Sequence, residues 1–530
     1  MSKPNILLIT TDQQRYDTIC AGGYDYMETP NLDRLAKEGC MFTNAYSPNP
    51  ACIPARHNIV SGLPSKYHSF DDNYFDNSRQ MPYDIPTFPE LLSNHGYNTV
   101  AIGKMHFQPC RRHNGFNRMH IMEEIPEYIM DDDYAQYLRN QGLDYYSSMH
   151  GVRHLLYMLP QQSFIPTKHH GSTWVADKTI DVIKENNNKR PFMIWSSFIQ
   201  PHPPFDVPNE WANIYNDKKL PEYYESITPI SALAEENKHI ADYPNDEYLE
   251  RAKQLYYSSI SFVDYNIGRI LDYLEKTNQL DNTLIIFTSD HGEMLGDNGT
   301  FQKFLPYDGS CKIPFIARYK EGLKEGTIDN RFVDLNDLFP TFLDIAEIEY
   351  PANYKLPGES IFATNGIKDR DYQYVEHNKG NKRWVSLRNK QYKYNYYYGG
   401  GKEELFNLET DPKERINLLV NNNTDITEIK EYLRNKLIQY EKTWWEKGYI
   451  ANDDFIKLDE YTPKIYRETN FPKHVKNLTD TDKSKLIGMN HEIKEAIKNE
   501  HIVDLKELDI ATFKEFGRFT DTDIENLLSK

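Results

Sequence analysis

Asp12-Gln13, Lys104 with His106, His202, and Asp290-His291 share one property: each follows a short apolar run. The runs are Asn5–Thr11, Thr99–Gly103, Pro191–Phe198 and Thr283–Ser289, and Lys303 comes shortly after the last. Asp12, Gln13, Asp290 and His291 offer oxygen and imidazole donors with no thiolate among them. That set suits a hard or borderline divalent ion such as Ca2+, Mg2+ or Mn2+. Arg56, Lys104, His106, His202 and Lys303 add positive charge. A metal ion among convergent cations is suited to a tetrahedral anionic group: sulfate, phosphate or phosphonate. Taken singly, each residue has an ordinary role. Asp12 can cap a helix, Asp290-His291-Gly292 can make a turn, and a lone Lys303 usually faces water. Four strands delivering such residues together make a constellation.

Cys52 poses a separate question. It stands in "ACIPARHNIVSG", where a proline-broken loop runs into the first turn of a helix. Arg56, one helical turn on, returns to the same face. A thiol nucleophile, a metal ligand, a small buried spacer and a precursor of another group are all open here. The five cysteines are odd in number and contain no C-x-x-C pair, so neither a disulfide framework nor a zinc ribbon is expected.

Apolar runs of this kind read as buried parallel strands, and Ile313–Arg318 is a fifth. Between them lie helical patterns at Pro30–Lys37, Phe88–Ser93, Trp174–Glu185 and Tyr248–Glu275. The alternation predicts an α/β fold: a mostly parallel sheet sandwiched by helices, with its ligand at the carboxyl ends of the strands. This catalytic domain is expected over 1–370. Composition shifts near 370, and 371–450 reads as a small α+β subdomain. It has two antiparallel strands joined through Gly399–Gly401, followed by a helix in "EIKEYLRNKLIQYEKTWWEK". Residues 451–530 are charged and less periodic, with a short helical segment in "DIENLLSK". They read as an arm packing on the main body or on a second subunit.

The chain has 530 residues and a net charge of −18. That charge argues against broad binding to nucleic acid or an anionic membrane, so any anion site must owe its positive charge to local clustering. Hydrophobic residues make up 39 %, which allows a sizeable core, and the 39 tyrosines suit half-wet surfaces. Met1–Lys3 lead directly into "NILLITTD", which reads as a strand and not a signal peptide. No apolar stretch approaches the roughly 20 residues of a bilayer span. The expectation is a cytoplasmic protein.

Cys52-Ile53-Pro54-Ala55-Arg56 resembles the C-x-P-x-R signature of the type I sulfatases, in the alkaline phosphatase superfamily. "PNILLITTDQQ", "TPNLDRLAKEGCMFTNAYS", "GYNTVAIGKMHF", "PHPPF", "FTSDHGEMLGDNG" and "KEELFNLETDPKERINL" are similar to further family blocks, in the family's order, over roughly residues 4 to 420. The resemblance implies that Cys52 is oxidised to Cα-formylglycine (3-oxoalanine) by a dedicated maturation enzyme. Asp12, Gln13, Asp290 and His291 match metal ligands, with residue 52 as a further one. Arg56, Lys104 and His106 match residues around the formylglycine hydrate and the sulfate. His202 and Lys303 match residues near the bridging ester oxygen, either of them a candidate to protonate the leaving alkoxide, and Asn73 resembles an asparagine beside the transferred group. The implied activity is hydrolysis of a sulfate monoester, with a small sulfated carbohydrate as the expected substrate.

Two departures matter. Gln13 and His291 stand where many members have aspartate and asparagine. Gln13 reduces the negative charge of the metal shell and His291 puts an imidazole in it, so Mn2+ competes with Ca2+, the family default. The same pattern resembles phosphonate monoester hydrolases and choline-sulfatase-like members, and a formylglycine-dependent phosphonate monoester or phosphodiester hydrolase is the second reading. Ala55 replaces a common serine, a variant compatible with an anaerobic-type maturation enzyme. A non-catalytic binding protein on the same fold is a third reading, opposed by the complete set of cations. Segments 107–170 and 205–245 are expected to shape the pocket beyond the sulfate.

Overall fold

A computed structural model gives the structure of the protein. It describes residues 3–463 apart from 74–78, 125–128, 144–160, 164, 209, 238–245, 352–353, 363–369, 421–425 and 445–447. The centre is an eight-stranded sheet. In chain order its strands are β1 (Asn5–Asp12), β2 (Cys40–Tyr46), β3 (Asn98–Gly103), β4 (Arg118–Ile121), β5 (Phe192–Pro201), β6 (Thr283–Ser289), β7 (Phe315–Arg318) and β8 (Thr327–Asp334). Across the sheet the order is β8-β2-β7-β6-β1-β5-β3-β4. Strand β1 is central, with Leu8 opposite Trp195 on one side and Ile286 on the other.

Period-two alternation along β1 explains the two covered faces. Ile6 and Leu8 enter one core with α2 (Cys52–Ser61), α3 (Phe88–Asn94) and α6 (Leu338–Ile345). Leu7 and Ile9 enter the opposite core with α1 (Pro30–Lys37), α4 (Gly171–Asn186) and α5 (Asp246–Lys276). Strands β1, β3, β4, β5 and β6 are mutually parallel, so their carboxyl ends meet at one edge. The expected mostly parallel sandwich is observed.

One strand runs against expectation. Strand β7 is antiparallel to both β6 and β2. A parallel partner needs a long crossover, usually helical. Between β6 and β7 the described helical pieces are only Asp297–Gly299 and Asp308–Cys311, and the chain turns back instead of crossing the sheet.

A second sheet follows, and it is larger than the two strands expected. Strands β9 (Gln373–His377), β10 (Trp384–Arg388), β11 (Tyr392–Tyr397) and β12 (Lys402–Asn407) form an antiparallel meander. Helix α7 (Thr427–Trp444) packs on it through Leu433 and Leu437, against Val385, Leu387 and Leu405. The sheet also touches the loop before Cys52: Glu376 N–H donates to Pro48 O at 3.0 Å, and His377 Nδ1 lies 2.9 Å from Asn49 Oδ1. The helical reading of "DIENLLSK", and all of the arm beyond residue 463, lie outside the described residues.

Under α7 the fully buried Arg383 donates to Glu376 at 3.0 Å and to both oxygens of Glu441 at 2.9 and 3.0 Å. Tyr398 donates to the same Glu441 at 2.8 Å. Burial pushes Glu376 up to about 7, against the pull of Arg383. Removing one partner of such a cluster leaves buried charge without compensation. Arg383→Met should cost about 3–5 kcal/mol, read as a lowered urea midpoint of the tyrosine signal from this sheet.

Candidate functional site

The parallel strands deliver Asp12 and Gln13 from β1, Lys104 and His106 from β3, His202 from β5, and Asp290 and His291 from β6. Helix α2 brings Cys52 and Arg56 to the same edge with all ten of its residues buried. Its first turn is held by Asn73, whose Oδ1 accepts the Ile53 N–H at 2.9 Å. Asn73 thus supplies an acceptor that Ala51, at the cap position, cannot. Gly103 allows a close approach that no other residue could: a Cβ there would lie 1.9 Å from Ser197 O.

Arg56 is the hub. Its Nε donates to Asp290 Oδ2 at 2.9 Å, Nη2 to Asp12 Oδ2 at 3.1 Å, and Nη1 to Ser197 Oγ at 2.8 Å and to Lys104 O. Lys104 Nζ lies 2.5 Å from Asp12 Oδ2. Cys52 Sγ is 3.2 Å from His291 Nε2 and 3.8 Å from Asp12 Oδ1. Lys303 Nζ donates to Gln13 Oε1 at 2.6 Å and lies 3.0 Å from His202 Nε2. All eleven residues singled out from the sequence lie at this edge, with Asn73 beneath the helix start.

Three carboxylates join them that the sequence did not single out. Glu123 accepts the N–H groups of Met105 and His106, and lies 2.7 Å from His106 Nδ1. Glu124 pairs with Lys104. Glu293 accepts from the Gln13 side chain and from Leu295 N–H at 2.9 Å. Glu123 and Glu124 follow a four-residue edge strand too short to show a period. The signal for Glu293 was its place in "SDHGEM", two residues past His291.

The electrostatics follow from burial. Burial alone would raise Asp12, but Lys104, then His202, His291 and Arg56, hold it well below the usual carboxylate range. Burial and the neighbouring Asp12 push the Cys52 thiol up, against Lys104 and Lys303. Burial and then Lys104 bring His106 down to about 4 despite Glu123, so its imidazole is neutral near pH 7. Gln13 and His106 have left-handed backbones, with φ of 67° and 53°, as do Gln302 and Phe304 on either side of Lys303, with φ of 69° and 79°. Such residues cost about 1–3 kcal/mol each and concentrate at working sites.

The donor set fits a divalent ion. Asp12, Cys52, Asp290 and His291 each present one ligand atom, and these atoms lie within 4.8 Å of one another. Five carboxylates (Asp12, Glu123, Glu124, Asp290, Glu293) and three basic side chains (Arg56, Lys104, Lys303) are buried together here. Gln13 stands beside this group with its amide oxygen on Lys303.

A pocket of this kind equips the sheet edge to handle a tetrahedral anion. A family model described as Sulfatase matches residues 4–348, and one described as N-sulphoglucosamine sulphohydrolase, C-terminal, matches 296–443. The chain belongs to the sulfatase family and is a sulfuric ester hydrolase. An arylsulfatase of Clostridium perfringens is 32 % identical over 485 residues, covering 86 % of this chain and 98 % of that one. A choline-sulfatase of Rhizobium meliloti is 29 % identical over 447 residues, covering 79 % and 83 %. Among solved structures, the phosphonate monoester hydrolase of Agrobacterium radiobacter shares the fold. Its TM-score is 0.71 at 23 % identity, covering 83 % of this chain and 96 % of that one. Among the described residues no helix is long and apolar enough to cross a membrane.

Proposed function

We propose that the chain hydrolyses a sulfate monoester of a small carbohydrate or similar alcohol, using Cys52 after its conversion to Cα-formylglycine. The observation that carries this reading is the position of Cys52. It is fully buried in the first turn of α2, within 3.8 Å of Asp12 and 3.2 Å of His291. A thiol shielded from solvent beside a carboxylate is poorly placed to act as a thiolate.

The hydrated aldehyde carries two geminal hydroxyls. One gives its proton to the neighbouring Asp12 carboxylate and attacks sulfur, the bond from sulfur to the alcohol oxygen breaks, and that oxygen takes a proton from the Lys303–His202 pair. The second hydroxyl then gives its proton to His106, the bond between the carbon and the sulfate oxygen breaks, and sulfate leaves as the aldehyde re-forms. Water restores the hydrate. Glu123, on Nδ1, leaves His106 Nε2 to accept that proton. Asp12, Asp290, His291 and residue 52, with Gln13 alongside, are the residues that would hold the ion. When bound, a divalent ion, Ca2+ in first place and Mn2+ or Mg2+ next, supplies Lewis-acid polarisation and charge neutralisation.

Arg56 positions two of those ligands. Arg56→Lys keeps the charge but cannot span Asp12, Asp290 and Ser197 together. Ion affinity, followed by titration of the metal-free protein, should fall about 10–100-fold.

The phosphonate monoester reading is favoured by Gln13 and His291 and by the shared fold with a phosphonate monoester hydrolase. A paired assay separates the two: an aryl sulfate against an aryl phosphonate monoester, each with Ca2+ and with Mn2+. Higher kcat/KM on the sulfate is expected. Higher kcat/KM on the phosphonate overturns the first reading.

A further inference from the structure

Glu124 is buried just beyond β4, and its two oxygens face different partners. Oε2 pairs with Lys104 Nζ and lies 3.6 Å from His106 Nε2, while Oε1 lies 3.5 Å from His202 Nε2. Ligand atoms of Glu124, His202 and Cys52 also lie within 4.8 Å of one another. One internal carboxylate therefore faces three of the groups assigned to the substrate's anion, next to residue 52. Its neighbour Glu123 is occupied differently, with two backbone amides and the far nitrogen of His106. Glu123 orients a ring, whereas Glu124 faces Lys104 and His202 across the site.

We propose that Glu124 is a specificity-determining residue, a resident anion beside His106 and His202 that competes with ligands for Lys104 and sets the charge the site accepts. This rests on the sulfate-ester reading above. Repulsion between charges scales with their product. A sulfate monoester carries one negative charge on the transferred group. Inorganic sulfate carries two, and so does a phosphate monoester at pH 8. The carboxylate therefore penalises both dianions about twice as strongly as the ester. It favours entry of the ester and departure of the product, and it discriminates against phosphate monoesters of the same alcohol.

The test is titration of inorganic sulfate against wild type and Glu124→Gln at pH 8. It is read twice, as competitive inhibition of aryl sulfate hydrolysis and as direct calorimetric binding. In Glu124→Gln, sulfate should bind at least about tenfold more tightly, while KM for the aryl sulfate falls by a smaller factor. Glu124→Asp, which keeps the charge, should stay closer to wild type than the glutamine variant. Glu124→Ala replaces Glu124→Gln if the latter does not fold, with the same expectation. Sulfate affinity that is unchanged or weakened, or that tightens no more than the ester's KM, overturns the proposal. A wild type without activity on any sulfate ester would overturn the functional reading instead, and the calorimetric titration would still decide the role of Glu124.

Discussion

Cys52→Ala should abolish turnover of aryl sulfates, with kcat/KM falling by at least about 10^4-fold, the scale seen when a covalent nucleophile is removed. The substitution deletes the precursor of the attacking group and leaves Arg56, Lys104 and the carboxylates in place. Binding of inorganic sulfate should survive, which separates a lost nucleophile from a collapsed pocket. Cys52→Ser is the sharper probe. Its single hydroxyl can accept the sulfuryl group but has no second hydroxyl whose deprotonation would expel sulfate. The serine form should therefore release at most one equivalent of phenol per site and then stop, with one SO3 group retained on the peptide containing residue 52. Mass spectrometry of that peptide from wild type, made together with an active maturation enzyme, should show the aldehyde or its hydrate. Full activity from protein carrying only unmodified cysteine would sink the mechanism.

The site was legible because a chemical regularity and a geometric one coincide. Apolar runs that end in Asp12, Lys104, His202 and Asp290 are strands buried on both faces, and parallel strands bring their carboxyl ends together. Helix α2 was legible through Arg56, which lies one turn beyond Cys52 on the same face. Other features depend on partners distant in sequence. The direction of β7 follows from how the chain after β6 turns back, and the apolar run "IPFIAR" contains nothing that records it. In the second sheet β9 goes unread, and β10 and β11, after it, read as one strand because the turn at Asn389–Gln391 carries neither glycine nor proline. There Asn389 Oδ1 accepts the N–H groups of Gln391 and Tyr392, at 2.9 and 2.7 Å. Nothing in the sequence singles out Glu123 and Glu124. Their burial arises only when β4 pairs with β3 and carries them over Lys104 and His106.

Lys303→Ala should slow alkyl sulfate hydrolysis by about 10^2–10^4-fold, the range for loss of a general acid. On p-nitrophenyl sulfate it should have far less effect. The sequence left two candidates for protonating the leaving oxygen, and the hydrogen bonds distinguish between them. His202 Nδ1 lies 2.8 Å from Pro203 O. A carbonyl only accepts, so that nitrogen carries a hydrogen, and Nε2, facing the donor-only Nζ of Lys303, presents a lone pair. Lys303 Nζ, 3.0 Å from Nε2, is then the donor of that bond, and Glu124 Oε1 at 3.5 Å is the more distant neighbour. The hydrogen that can reach the leaving oxygen is then one of Lys303's, whose Nζ is fixed further by Gln13 at 2.6 Å. An alkoxide cannot leave without that proton, whereas a nitrophenolate can. Rates across a series of leaving groups should therefore fall more steeply with leaving-group basicity in Lys303→Ala than in wild type. In His202→Gln, Lys303 remains and the slope should change less. A uniform loss in Lys303→Ala across the whole series would assign the lysine to sulfate binding instead of proton transfer.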